Sequence, residues 1–192
     1  PKPVQKPTVT PAPQQTATSV PEKKGTTITT EKKTDKFKVT STSSTKPTVE
    51  YTGVSKKGKK KKTIVIPETV TYNNVQYAVT GVAPKSFKNN KKVLAVEVAQ
   101  NVTSIGASAF EGCKNLKTAT MGKSIRTIGK NAFKNCKSLK TITIKSTKLK
   151  TVDKSAFKGV NKKCVIKVPK KMLKKYKKLF KKKGIKLKVK AA

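Results

Sequence analysis

The 192-residue chain has no histidine, no tryptophan and three cysteines, and only eight acids stand against its 47 basic residues. Each shortage excludes something. Without His, the usual base for a Ser or Cys nucleophile is missing. The acids Glu50, Glu68, Glu97, Glu111 and Asp153 stand singly, so no carboxylate pair suggests acid–base chemistry. Metal binding lacks His, a Cys-x-x-Cys pair and clustered acids. Three cysteines are too few for a disulfide scaffold, and an odd number leaves one unpaired. No apolar run approaches the ~20 residues that span a bilayer. Apolar residues make up 34% of the chain, low for a wholly globular protein, so part of it is expected outside any core.

Two short motifs invite a catalytic reading and fail. Gly122-Lys123-Ser124 looks like the end of a phosphate-binding loop, but the glycine needed five residues earlier is Lys117. Ser43–Lys46 and Ser155–Lys158 match Ser-x-x-Lys at a frequency expected by chance in so lysine-rich a chain, and the companion motifs are missing. The expectation is a non-enzymatic chain with no cofactor, no metal and no small-molecule substrate.

What the chain has is positive charge: +39 at pH 7, with Arg126 the sole arginine. Polyanions are its natural partners, whether nucleic acid, an anionic membrane or an anionic cell-wall polymer. Lysine acts as a point charge where arginine reads bases and phosphates bidentately, so the charge implies adhesion without fine selectivity.

Residues 1–34, rich in Pro, Thr and Gln, read as a disordered linker or stalk. Residues 35–78 alternate apolar and polar at Lys36–Ser41, "TVEYTG" and "TIVIPETV", giving a β-rich lead-in, and Ser55–Lys62 reads as a hairpin turn. A repeat occupies 79–168. Phe87, Phe110, Phe133 and Phe157 lie 23, 23 and 24 residues apart. Apolar residues stand five positions before each (Val82, Ile105, Ile128, Val152) and eight before (Val79, Val102, Ile125, Leu149). A third pair of columns, nine and eleven positions after, is Val96/Val98, Ala119/Met121, Ile142/Ile144 and Ile166/Val168. A period in the low twenties means a solenoid whose coils cover one another's apolar sides. The x-Leu-x-x-Ile-x-Ile part predicts a short strand and a parallel sheet across coils, with "GASAFEGC" as a helical or tight-turn return.

The pattern L-x-x-I-x-I-x-x-x-L-x-x-I-x-x-x-A-F-x-x-C, seen in "LKTITIKSTKLKTVDKSAFKG", resembles the BspA-like leucine-rich repeats, the subclass first described in treponemes. The resemblance runs from about Ile64 to Val168. It departs at Asn90 and Val160 in the Cys column, Lys163 in the Leu column and Ala119 in a strand column. It implies a β-rich α/β solenoid and a bacterial protein of the cell exterior used for binding and adhesion. It names no ligand.

Residues 169–192 predict a capping helix and a closing strand, with Pro169 in the first turn and Gly184 past the end. Met172, Leu173, Tyr176, Leu179 and Phe180 fall within a ~120° arc, a stripe suited to covering the last coil. Lys170, Lys171, Lys174, Lys175, Lys177, Lys178, Lys181, Lys182 and Lys183 then face water as a candidate anion-binding surface. Between the inward columns, Thr118, Thr120, Thr141, Thr143, Lys145 and Lys167 point outward as a second candidate face. That face has no aromatic platform for sugars or bases. Cys113 and Cys136 share a column and could be a disulfide or a buried ladder of small side chains.

Together these observations suggest a secreted or surface-displayed binding module, any signal peptide already removed, attached to an anionic polymer (wall, host glycan or mucin) or a protein partner. The alternatives are a nucleic-acid binder held by phosphate charge and a wall-attachment segment of a larger secreted enzyme. Charge alone also permits contact with anionic membranes.

Overall fold

The structure is a computed structural model and describes residues 20–192 apart from 31 and 33. Three antiparallel strands come first: β1 (Thr27–Thr29), β2 (Asp35–Ser41) and β3 (Thr48–Val54). After them come β4 (Thr63–Ile66), β5 (Thr69–Tyr72) and β6 (Val75–Val82). Two expectations are corrected here. β1 lies inside the segment expected to be a disordered linker, because Ile28 is buried under β2 and brings its strand into the sheet. The remainder of that expectation falls mostly on residues 1–19, outside the described residues. Ser55–Lys62 is not a hairpin turn: β3 pairs with β6 while β4 belongs to another sheet, so this stretch carries the chain around a corner through a 3₁₀ turn at Lys57–Lys60. Its glycine is held close, since a Cβ on Gly58 would lie 2.3 Å from the Thr34 carbonyl oxygen.

From β6 onward the chain coils. The longer strands β7 (Ala95–Val98), β9 (Thr118–Met121), β11 (Thr141–Ile144) and β13 (Val165–Val168) alternate with two-residue strands β8 (Ser104–Ile105), β10 (Thr127–Ile128) and β12 (Thr151–Val152). The helix α1 (Leu173–Lys182) and the strand β14 (Lys188–Ala191) complete the chain. The longer strands form one parallel sheet in the order β14-β13-β11-β9-β7-β4. The short ones extend the lead-in sheet in the order β1-β2-β3-β6-β8-β10-β12, with β5 also on β6. The apolar column five residues before each Phe is thus a second parallel ladder, two residues deep. Its strands are too short to show the alternation by which a strand is read from sequence.

The return segments are tight turns. Their geometry explains a column of Asn and Gly two residues after each Phe: Asn89, Gly112, Asn135 and Gly159 all have φ between 59° and 72°, a left-handed conformation those residues tolerate best. Inside the coils the four phenylalanines stack, with ring centroids 5.2, 5.1 and 5.7 Å apart and planes within 17° of parallel. That spacing follows from the ~4.8 Å separation of neighbouring strands. The columns eight positions before each Phe are buried throughout. The one-residue insertion in the last coil moves the Leu column: Lys163 is exposed, and Cys164 takes the buried place with its N–H on the Asn161 carbonyl, as Leu139 does on Cys136.

Candidate functional site

No thiol is poised for chemistry. Cys113 and Cys136 are unbridged: each S–H donates to the Phe carbonyl of the preceding coil, Phe87 at 3.0 Å and Phe110 at 3.1 Å. Burial pushes the Cys113 thiol up to about 12 and that of Cys164 to about 11, and it raises Cys136 as well. All three stay protonated at neutral pH and pack as small hydrophobes. Of the two readings of the Cys column, the structure holds the buried ladder.

Three acids, Asp35, Glu111 and Asp153, have close side-chain or backbone partners. Burial pulls the Asp35 carboxyl up, but bonds from Lys61 (2.6 Å), Tyr51 and Thr34 outweigh it and hold it below its ordinary range. Burial, followed by the same carboxylate, pushes the Tyr51 hydroxyl far up. Nothing in the sequence singled out Asp35. Glu111 lies one position after its Phe, between Lys88 of one coil and Lys134 of the next, at 3.4 and 3.5 Å. The Ser108 side chain, followed by these lysines, lowers its carboxyl. Asp153 is lowered by the hydroxyl and N–H of Ser155, 2.5 and 2.8 Å away. Among the described residues no three His, Cys, Asp or Glu side chains group as metal ligands.

The outward threonines are brought side by side. Thr118 pairs with Thr141, and Thr120 with Thr143, which in turn faces Lys167 across β11 and β13. Thr118 and Lys167 are exposed, while Thr120, Thr141 and Thr143 are half-buried. Lys145 follows β11 and is exposed. The result is a flat polar flank of Thr and Lys.

The lysines of the C-terminal segment belong instead to the end of the solenoid. A 3₁₀ turn at Lys170–Met172 leads into α1, where Tyr176 and Phe180 are fully buried and Met172, Leu173 and Leu179 pack against the core. The Tyr176 hydroxyl donates to the Ser146 carbonyl and accepts from the Leu149 N–H, both at 3.0 Å, fixing the helix to the last coil. With that face turned in, Lys170, Lys171, Lys174, Lys175, Lys177, Lys178, Lys181 and Lys182 are exposed, and Lys183 is half-buried. No acid stands in the first turn, so Lys174 and Lys175 meet the positive end of the helix dipole uncompensated, whereas Lys181 and Lys182 suit its negative end. Seventeen lysines and no acid follow Asp153.

A feature the sequence did not signal lies at the same end. A cavity of about 710 Å³ opens between the last Phe turn and the segment returning from α1 to β14. It is visible only once the return segment has been placed, since residues 184–187 are distant in sequence from the turn at 154–162.

The model of the BspA-type leucine-rich repeat region matches residues 80–189, in six copies. Among solved structures, a leucine-rich repeat protein from Bacteroides capillosus is similar at 25% identity and a TM-score of 0.58, over 70% of this chain and 96% of that one. A second, from Bacteroides ovatus, has 25% identity and a TM-score of 0.55, over 72% of this chain and 37% of that one. No curated protein matches.

Proposed function

The chain belongs to the BspA-type leucine-rich repeat family, and on that premise we propose that it is a non-enzymatic binding module of a secreted or surface-displayed protein, adhering to anionic polymers or anionic protein surfaces through its C-terminal end. The observation that carries this reading is the capping helix: its apolar stripe is spent on the last coil, and eight lysines are left exposed with no acid downstream of Asp153. Lysines without aromatics or arginine supply attraction with little geometric selectivity. The Thr-rich flank is the secondary surface, suited to a partner read by shape.

The test is binding to inorganic polyphosphate, heparin and duplex DNA at rising salt, with the variant Lys174→Gln/Lys175→Gln/Lys178→Gln/Lys182→Gln alongside. Affinity for all three should fall steeply as screening sets in around the ~10 Å Debye length of 0.1 M salt, and the variant should weaken all three by a similar factor. Binding that survives high salt, or loss of one ligand alone, would assign recognition to the sheet flank instead.

A further inference from the structure

In each of the first three Phe turns, the N–H groups of the Phe and of the residue two positions after it donate to carbonyls of the next turn. Phe87, Phe110 and Phe133 donate to the carbonyls of Ala109, Ala132 and Ala156 at 2.7–2.8 Å. Asn89, Gly112 and Asn135 donate to those of Glu111, Lys134 and Lys158 at 2.7–2.8 Å. After the fourth turn the pattern stops. The chain goes into α1 instead of another Phe turn, and among the described residues no carbonyl accepts from Phe157 or Gly159. The repeat geometry aims those two donors toward the C-terminal side, where the 710 Å³ cavity lies with Phe157 in its wall and the exposed Gly159 at its edge, between the lining residues Lys158 and Val160.

The rest of the cavity has two characters. Phe157, Val160, Ile185 and Leu187 give it an apolar floor. Lys154, Lys158, Lys162 and Lys186 surround that floor, all exposed, and no acid lines it. These four cations come from the turn, the loop after it and the return segment, so they flank the floor on more than one side. A single-headed amphiphile could meet only part of that rim and would bring no backbone carbonyls. A peptide with carboxylates on both sides of one large apolar residue meets the rim, the floor and the two N–H donors together. The volume falls in the ~300–1,000 Å³ range of ligand pockets.

We propose that this cavity docks an acidic peptide segment of a protein partner, which seats one large apolar side chain on the floor and offers its carbonyls to Phe157 and Gly159. The proposal rests on the reading of the C-terminal end as the binding region and adds a partner class to it.

The experiment uses the full chain and two labelled nonapeptides, four Glu/Asp residues on each side of a central Phe or a central Ala. Fluorescence anisotropy at 0.15 M salt should show the Phe peptide binding about tenfold or more tighter, the effect of burying one aromatic side chain. Lys158→Glu/Lys162→Glu should remove most of that preference. Lys174→Glu/Lys178→Glu, an equal charge change on the helix outside the cavity, should weaken both peptides and preserve the ratio. Hydrogen exchange at the Phe157 and Gly159 amides should slow when the Phe peptide is bound and not with the Ala peptide. Equal affinity of the two peptides, or equal effects of the two double variants, would overturn the docking site while leaving the polyanion reading intact. Displacement by decanoate of a probe that the Phe peptide cannot displace would overturn it in favour of a lipid site. If polyphosphate also fails to bind, the wider reading falls with it.

Discussion

The two ends of the solenoid solve one problem differently. Both must cover an apolar layer that no further coil covers. At the N-terminal end the lead-in continues the stack: Tyr51 lies on Phe87 at 5.6 Å and 22°, and Phe37 closes on Tyr51 edge-on. The one buried carboxylate there, Asp35, is matched by Lys61 and Tyr51. At the C-terminal end a helix interrupts the stack. Phe180 meets Phe157 edge-on at 6.4 Å and 70°, and among the described residues two turn amides lose their acceptors and no lysine of α1 has an ion-pair partner. Closure by continuation satisfies the groups it covers. Closure by a foreign element leaves donors and charge over, and those are the groups we propose for binding.

The largest expected effect is inside the stack that both ends must cover. Phe110→Ala should cost about 3–5 kcal/mol in chemical denaturation, the usual range for emptying a fully buried Phe site. Phe180→Ala, at the edge-on end, should cost less. Equal losses would mean the C-terminal closure is as tightly packed as the coils.

Next is the matched acid at the other end. Asp35→Ala leaves the Tyr51 hydroxyl and Lys61 without their partner and should cost about 2 kcal/mol, reduced from the cost of a fully buried pair because Lys61 is partly solvated. The folded Asp35 carboxyl lies below its ordinary value of 3.8. Its contribution is therefore present at neutral pH and lost as pH falls through and below that value. Denaturation at pH 7 and pH 3 should show the native chain losing more stability on acidification than Asp35→Ala does.

Tyr176→Phe should cost about 1 kcal/mol by removing two hydrogen bonds while keeping the ring. Smallest is the exposed face of α1: replacing Lys174, Lys175, Lys178 and Lys182 with Gln should change folding stability by no more than about 0.5 kcal/mol. A larger loss would mean those lysines hold the cap in place.

Much of this was legible in the sequence because it repeats. A column of Phe at 23-residue spacing states its own contacts: each is buried against the next. The capping stripe was legible for a similar reason, since the 3.6-residue period of a helix sorts Tyr176 and Phe180 from the lysines around them. What escaped had no period to show it. Two-residue strands such as β10 carry no alternation. Asp35 and Lys61 meet across 26 residues of lead-in that does not repeat. The Lys163/Cys164 exchange needed the strand register, because one inserted residue decides which of the two turns inward. The cavity arises where the repeat fails, so no column could announce it.

Whether binding resides at the C-terminal end, where the stack is interrupted, is decided by mapping polyphosphate onto the isotope-labelled chain by NMR. Amide shift changes should concentrate in residues 154–190, with β1, β2 and β3 unchanged. Changes spread evenly over the lysines of the whole chain, or centred on Thr118, Thr120, Thr141 and Thr143, would contradict binding at that end.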